Sequence, residues 1–182
     1  MYYPMKIAGL DRKLPLCKLN DKLMIAGFVM FGDPEITVAA AKELLKKAPD
    51  FDYIITPEAK SIPLAHEMSR QSGKKYFVAR KKAKAYMTGV LDVTVNSITT
   101  AGEQHLFLDT AEAEEMKGKK VIIVDDVVST GESLKSMEQL LLMTGAVHAG
   151  SLFVLAEGDA AKRDDVIFLE MLPLFDGEGK EL

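Results

Sequence analysis

The stretch VIIVDDVVSTGES (residues 121–133) joins an apolar run to two adjacent acids and a hydroxyl-rich loop. The apolar run predicts a buried strand that stops at Asp125 and Asp126, and the loop then leads into a predicted helix. Backbone N–H groups at a helix N-terminus, with hydroxyls beside them, hold a phosphate dianion, and glycine allows close approach. Two carboxylates accept hydrogen bonds from a vicinal diol such as that of ribose. The stretch therefore predicts a site for a 5-phosphoribosyl group.

The loop after the two acids supplies the predicted phosphate contacts, which are Ser129, Thr130, Gly131, Glu132 and Ser133. An alternative interpretation makes Asp126 or Ser129 a helix cap and Gly131 a turn residue, which is a common arrangement. A cap, however, requires neither two acids nor three hydroxyls in five positions. A Walker-type loop requires lysine after its last glycine, where this chain has Glu132, so that kind of nucleotide site is not indicated.

The composition is that of an ordinary globular domain. The chain has 182 residues, of which 48% are hydrophobic and 27% charged, and its net charge of −4 gives no attraction to nucleic acid. Cys17 is the only cysteine, so no intrachain disulfide forms. The apolar stretch at residues 23–32 is too short to cross a bilayer, and no signal-peptide pattern lies near Met1. We expect a cytoplasmic protein without a membrane or nucleic-acid partner.

Predicted strands and helices alternate along most of the chain. Such alternation implies a mostly parallel sheet with helices on both faces, and ligands in such sheets bind at the carboxyl ends of the strands. Two further segments, residues 90–95 and 104–108, alternate as paired strands do. The predicted core strands are residues 51–56, 75–79, 119–126, 146–157 and 164–172, and the predicted helices are 35–48, 62–71 and 133–145.

Two other predicted strand ends carry positive charge. TPEAKSIPLA (residues 56–65) places Lys60 and Ser61 just ahead of a helix, which is again a site for an anion. ARKKAKAY (residues 79–86) has four cations in five positions. An isolated cluster of this kind is more often a solvated basic turn. Its position beside two other anion-binding loops favours a role in holding a highly charged leaving group.

An apolar strand followed by Asp-Asp and a loop of small hydroxyl residues and glycine resembles the signature of type I phosphoribosyltransferases, which use phosphoribosyl pyrophosphate (PRPP). The similarity covers roughly residues 51–157 and is greatest to the adenine and xanthine enzymes. The resemblance implies a three-layer α/β fold, with a mostly parallel sheet, helices on both faces and a small N-terminal hood. A single domain would then comprise a hood (residues 1–34) and a core (35–170) with a mobile loop at about 81–104.

The resemblance also assigns roles to individual residues. Asp125 and Asp126 would hold the ribose hydroxyls and, with Glu103, form the catalytic set. Glu103 would be the general base, unless the purine loses its proton to pyrophosphate or solvent. Mg²⁺ would be held mainly by pyrophosphate and ribose oxygens, with Asp125 near it or joined through water. The first basic loop often carries a non-proline cis peptide in this family. The implied pyrophosphate contacts are Ala59, Lys60, Ser61, Arg80, Lys81 and Lys84.

The implied base contacts are Leu19 and Asn20 in the hood and Glu157 at a strand end. Asn20 is equally interpretable as an ordinary turn residue. Gly158 stands where xanthine-type enzymes have lysine, which weakens a strict xanthine assignment. The implied function is a purine phosphoribosyltransferase of purine salvage, acting on a 6-oxopurine such as xanthine or hypoxanthine, with adenine as second choice.

Two further implications concern assembly and activity. The resemblance implies a homodimer whose ligands are PRPP and a purine base. A non-catalytic, PRPP-binding regulatory protein of the same fold remains an alternative, because the segment at residues 97–104 and Gly158 depart from the enzyme pattern. The residues before the first predicted core strand are neither basic nor of helix-turn-helix type, which argues against a repressor that binds DNA by itself.

Overall fold

The structure is a computed structural model that describes residues 1–95 and 104–182. Eleven strands and four α-helices make up its regular structure, together with a short 3₁₀ helix at Gly158–Lys162. In chain order they are β1 (Tyr2–Ile7), β2 (Leu10–Asn20), β3 (Leu23–Ala26), α1 (Pro34–Lys47), β4 (Tyr53–Pro57), α2 (Ile62–Ser72), β5 (Tyr76–Ala79), β6 (Val90–Val95), β7 (Gln104–Asp109), α3 (Thr110–Met116), β8 (Lys120–Val128), α4 (Glu132–Thr144), β9 (Val147–Glu157), β10 (Ile167–Leu172) and β11 (Leu174–Asp176).

The central sheet has five strands in the order β10-β9-β8-β4-β5, and every neighbouring pair is parallel. This confirms the predicted α/β architecture. Strand β8 does not stop at the two acids as predicted but continues to Val128. Its ladder with β9 pairs Asp125 with Phe153 and Val127 with Leu155, so the neighbouring strand fixes the backbone on both sides of Asp126.

Neighbouring residues of the central strands face opposite layers, because side chains alternate across a strand. Ile122 packs with the core residues of α1 and α2, while Ile123 packs with those of α3 and α4. In β4, Ile54 packs with the core residues of α1 and α2, and Ile55 packs with those of α3 and α4. Helices therefore cover both faces, as the fold prediction requires.

The hood is a four-stranded antiparallel sheet in the order β1-β2-β3-β11. The sequence prediction confined the hood to residues 1–34, whereas β11 comes from the other end of the chain and pairs with β3. Ile7 and Leu14 of the hood belong to the same buried cluster as Ile36 of α1. The hood thus shares a continuous apolar core with one face of the central sheet.

Capping signals in the sequence agree with the helix boundaries. Helix α1 begins at Pro34, and the side chain of Asp33 accepts a hydrogen bond from the backbone N–H of Ile36. Helix α2 ends before Gly73, which adopts the left-handed conformation (φ 69°) that favours glycine. Helix α3 was not predicted. It is only seven residues long, too short for a clear helical period.

Strands β6 and β7 pair as an antiparallel hairpin, as their alternation predicts. A backbone bridge between Arg80 and Phe107 attaches this hairpin to the edge of the central sheet. The predicted mobile loop therefore contains regular structure, and its segment 96–103, with the predicted general base Glu103, lies outside the described residues. Across the described ranges, none of the helices has the length and apolar character needed to cross a membrane.

Candidate functional site

A cavity of about 950 Å³ lies beyond the carboxyl ends of β4, β5 and β8. Its wall combines the ends of β4 and β8, and the segments that follow β4, β5 and β8, with three consecutive residues of β7. Acidic, basic and hydroxyl side chains all contribute to it, as expected for a ligand that carries both phosphate and diol groups. The lining residues are Pro57, Glu58, Ala59, Lys60, Lys81, Lys82, Ala83, His105, Leu106, Phe107, Asp125, Asp126, Val127, Thr130, Glu132, Ser133 and Ser136.

Residues 129–133, here called the phosphate loop, join β8 to α4. Thr130, Glu132 and Ser133 line the cavity, whereas Ser129 and Gly131 do not. Gly131 adopts φ 83°, a left-handed conformation, and immediately precedes the first residue of α4. Thr130 and Ser133 therefore present hydroxyls to the cavity beside the amino end of a 13-residue helix. This is the arrangement that favours an anion.

Asp125 and Asp126, here called the acid pair, both line the cavity. Backbone N–H groups partly satisfy them: Asp125 Oδ1 accepts from Asp126 N at 2.9 Å, and Asp126 Oδ1 accepts from Val127 N at 3.0 Å. Asp126 is 4% exposed, and its Oδ2 receives no hydrogen bond from the residues that the structure describes. The ammonium of Lys60 is 3.3 Å from this oxygen but does not have the geometry of a hydrogen bond. A buried acceptor in this state suits a ligand hydroxyl.

The protonation of Asp125 is perturbed. Burial, followed by the neighbouring charge of Asp126, raises the pKa of the Asp125 carboxyl to about 7. Two adjacent carboxylates in a poorly solvated site repel each other, which favours the protonated form of Asp125. A cationic or hydrogen-bond-donating ligand at this site would favour its ionised form.

The first basic loop, residues 57–61, is here called the pyrophosphate loop. Its Glu58–Ala59 peptide bond is cis, in agreement with the family resemblance. Glu58 accepts hydrogen bonds from the backbone N–H of Lys81 at 2.9 Å and from Arg80 Nε at 3.3 Å. These bonds, the one from Lys81 first among them, lower the pKa of Glu58. The carboxylate thereby joins the pyrophosphate loop to the basic segment after β5.

The structure separates the predicted pyrophosphate contacts into two groups. Ala59, Lys60 and Lys81 line the cavity, and so does Lys82, which was not in the predicted set. Arg80 and Lys84 do not line it. Instead, Arg80 bonds to Glu58 and to the hydroxyl of Tyr86, at 3.2 Å.

Ser61 is fully buried. Its hydroxyl accepts from Thr56 Oγ1 at 2.7 Å and donates to the carbonyl of Pro57 at 3.3 Å, and both partners belong to the end of β4. The same hydroxyl interacts with the Asp125 carboxyl and opposes the rise of its pKa. The side chain therefore holds the backbone of the pyrophosphate loop, and its contact with pyrophosphate stays a prediction.

The predicted base contacts lie outside the cavity wall. Leu19 is 58% exposed, and the Asn20 side chain accepts a hydrogen bond from Lys22 N at 2.9 Å within the β2–β3 turn. This bond agrees with the interpretation of Asn20 as a turn residue. Glu157 ends β9, next to Gly158 with φ 56°. A role for these three residues in base binding stays a prediction.

Sequence reasoning missed the wall formed by the hairpin. His105 and Phe107 line the cavity, and their rings stack at a centroid distance of 5.6 Å. His105 Nδ1 lies 2.9 Å from the carboxylate of Asp92 on the neighbouring strand. The signal was present in QHLFL, because residues two apart on a strand share a face, but nothing local indicated which face meets the cavity.

The parallel sheet, the acid pair at its carboxyl edge and the phosphate loop after the same strand are together the arrangement that the sequence resemblance implies for a phosphoribosyltransferase fold. Residues 34–176 match the family model of the phosphoribosyl transferase domain, and the chain belongs to this family. The resemblance inferred from residues 121–133 is thereby confirmed.

Curated relatives agree with this membership. The chain is 32% identical over 145 residues to HGPRTase-like protein 1 of Halalkalicoccus jeotgali, covering 79% of this chain and 76% of that protein. It is 31% identical over 130 residues to the hypoxanthine/guanine phosphoribosyltransferase of Methanocella paludicola. That match covers 71% of this chain and 64% of the relative, so it spans somewhat less than two thirds of the relative's length.

Solved structures share the fold. The adenine phosphoribosyltransferase of Thermoanaerobacter pseudethanolicus superposes with a TM-score of 0.65 at 21% identity, over 76% of this chain and 81% of that one. The Saccharomyces cerevisiae adenine phosphoribosyltransferase, solved with adenine and a bisphosphate ligand, gives a TM-score of 0.62 at 21% identity, over 78% of this chain and 82% of that one.

Proposed function

We propose that the protein is a purine phosphoribosyltransferase that transfers the 5-phosphoribosyl group of PRPP to a purine base and releases pyrophosphate. The observation that carries the proposal is the convergence on one cavity of the acid pair, the phosphate loop and the pyrophosphate loop. Each suits one part of PRPP, namely the ribose diol, the 5-phosphate and the pyrophosphate. The names of the curated relatives support the same reaction.

The reaction needs positioning and charge stabilisation more than covalent chemistry. Asp126, whose buried Oδ2 receives no hydrogen bond from the described residues, would accept a ribose hydroxyl and fix the sugar. The phosphate loop would hold the 5-phosphate as a remote anchor. Lys60, Lys81 and Lys82 would stabilise the negative charge that develops on pyrophosphate as its bond to C1 of the ribose breaks. A nitrogen of the base forms the new bond to C1 as the bond from C1 to pyrophosphate breaks, and its proton passes to Glu103, to the departing pyrophosphate or to solvent.

The described residues fit a magnesium ion that arrives with the substrate. No group of three or more His, Cys, Asp or Glu side chains that could hold a metal occurs within residues 1–95 and 104–182. The protein's own donors at this site are the carboxylates of the acid pair, so most ligands would come from PRPP oxygens. Bound Mg²⁺ would neutralise pyrophosphate charge, and Asp125 would approach it directly or through water.

For the base, we propose a 6-oxopurine first and adenine second. The curated relatives are named for hypoxanthine and guanine, and the solved neighbours for adenine. Homodimer assembly and a cytoplasmic location are the remaining proposals: the first follows from the family resemblance, and the second from the sequence, in which the apolar stretch at residues 23–32 is too short to cross a bilayer. Size-exclusion chromatography with light scattering tests the dimer, and a tagged chain in cell fractionation tests the location.

The test of function is a turnover panel. The protein is incubated with PRPP and Mg²⁺ and with hypoxanthine, guanine, xanthine or adenine in turn, and released pyrophosphate is measured. Turnover with at least one base, abolished in the double variant Asp125→Asn/Asp126→Asn, is the expected result. Tight PRPP binding by calorimetry without turnover on any base would instead identify a regulatory PRPP-binding protein.

A further inference from the structure

Arg163 lies in the segment between the 3₁₀ helix and β10, away from every predicted site residue in the sequence. In the fold it packs against the phosphate loop. Its guanidinium approaches Gly131 so closely that a β-carbon at residue 131 would overlap its Nη1 nitrogen. Residues 131 and 163 are thus neighbours, although neither β8 nor α4 contains the arginine.

Asp165 fixes the orientation of the Arg163 guanidinium. Arg163 Nε donates to Asp165 Oδ1 at 2.9 Å, and Nη2 donates to Asp165 Oδ2 at 2.7 Å. This two-point pairing fixes the plane of the guanidinium, whereas a single hydrogen bond would leave it free to rotate. The Arg163 side chain is 33% exposed, so part of the group is withdrawn from solvent.

The third nitrogen is unengaged. Within the described residues, Nη1 of Arg163 donates no hydrogen bond, while Nε and Nη2 are both occupied by Asp165. Nη1 is also the nitrogen nearest to Gly131. The fold therefore holds an unpaired N–H donor and a positive charge against the loop where an anion is expected.

We propose that Arg163, oriented by Asp165, is a positioning residue that raises the affinity of the phosphate loop for the 5-phosphate. This inference rests on the proposed function. Arg163 does not line the cavity, so it acts through the loop, by packing against Gly131 and by adding positive charge beside the phosphate. The pyrophosphate end of the cavity, built from the segments after β4 and β5, has its own cations and does not depend on Arg163.

The experiment measures two probes separately on the full chain. Calorimetry with ribose 5-phosphate reports the phosphate loop, and calorimetry with magnesium pyrophosphate reports the other end of the cavity. In Arg163→Met, we expect ribose 5-phosphate to bind about five- to tenfold more weakly, the scale of one lost charge-assisted interaction, and pyrophosphate to bind as in the wild type. Turnover should show a raised KM for PRPP with kcat little changed.

Arg70→Met is the matched control. Arg70 also makes a two-point pair with a nearby carboxylate, that of Glu67, but on α2 and outside the cavity wall. We expect this variant to bind both probes as the wild type does. Arg163→Lys keeps the positive charge but not the planar group that makes two parallel hydrogen bonds. We expect this variant to bind ribose 5-phosphate about two- to threefold more weakly than the wild type.

Unchanged ribose 5-phosphate binding in Arg163→Met, or an equal loss for both probes, would overturn the inference. Should Arg163→Met not fold, unchanged binding in Arg163→Lys would overturn it in the same way. Failure of the proposed function is distinguishable, because the wild type would then release no pyrophosphate with any purine base, whether or not it binds PRPP. If the wild type turns over and Arg163→Met binds ribose 5-phosphate as the wild type does, the proposed function stands and only the role of Arg163 is overturned.

Discussion

The ammonium group of Lys60 and the buried carboxylate of Asp126 lie 3.3 Å apart, although Lys60 follows β4 and Asp126 lies within β8. The lysine side chain is 55% exposed and the aspartate side chain 6%. Lys60 therefore places a cation between the pyrophosphate loop and the acid pair. It is one of the contacts between the two ends of the proposed PRPP site.

Replacing Lys60 by methionine should weaken both stability and pyrophosphate binding. The buried carboxylate of Asp126 loses its nearest cation, and water replaces it only in part, so we expect a loss of about 1 kcal/mol in the free energy of unfolding. Urea denaturation at pH 7 measures this. Lys82→Met is the control, since Lys82 lines the same cavity without an ion pair to a described residue. A stability loss of equal size in that control would contradict the special role of Lys60.

The unfolding free energy should depend on the ionisation of Asp125. Its pKa is about 7 in the folded protein, and an unfolded aspartate has about 3.9. Between these values the folded chain holds a proton that the unfolded chain releases, so this group makes the protein less stable as the pH rises from about 4 to about 7.

The variant Asp125→Asn lacks this titration. As the pH rises from about 4 to about 7, the unfolding free energy of the wild type should therefore fall relative to that of the variant. The total change in the difference between the two proteins should be at least about 1 kcal/mol. Denaturant unfolding at a series of pH values measures both proteins. Parallel curves for the two would contradict the raised pKa. The wild type should also bind magnesium PRPP more tightly as the pH rises through 7.

Replacing Gly131 by alanine should damage the phosphate loop. Residue 131 has φ 83°, and a β-carbon there would overlap the guanidinium of Arg163. We expect a loss of about 1 to 3 kcal/mol in stability and a raised KM for PRPP. Gly145→Ala is the control, because Gly145 has a similar φ of 73° at the far end of α4 with no such overlap. If that control raised the KM equally, strain in general would explain the result.

The hood should depend on one arginine for its attachment to α1. Arg12 Nε lies 2.6 Å from Asp33 Oδ2, and Arg12 Nη2 lies 2.8 Å from Glu35 Oε2. Arg12→Met should therefore lower the unfolding free energy by about 1 to 2 kcal/mol at pH 7. Hydrogen bonding to Arg12 lowers the pKa of Asp33, so this contribution is present above the unfolded value of about 3.9 and is lost as the pH falls through the folded pKa.

Urea denaturation at pH 7 and at pH 3 checks the prediction about Arg12. The difference between wild type and variant should shrink at the lower pH. Lys6→Met, which removes an exposed pair with Asp11 at 3.6 Å, should change stability by less than about 0.5 kcal/mol at either pH. A difference for Arg12→Met that stays constant with pH would point to lost packing of the arginine stem rather than to its charge.

The sequence by itself determined the sheet architecture and the chemistry of its carboxyl edge. Alternating apolar strands and capped helices have local signatures, so the five central strands and α1, α2 and α4 were predictable. The acid pair and the phosphate loop were predictable for the same reason, since residues 125–133 are contiguous and their chemistry does not depend on distant partners. The family resemblance rested on that contiguity.

Tertiary structure decided which distant side chains reach the cavity. His105 and Phe107 enter its wall because the hairpin pairs with Arg80. Arg163 meets Gly131 because β9 runs parallel beside β8, so the segments that follow these two strands are neighbours. It likewise placed β11 in the hood and turned Ser61 inward. Such contacts join residues far apart in the chain, and their free energy comes from packing that no local pattern records.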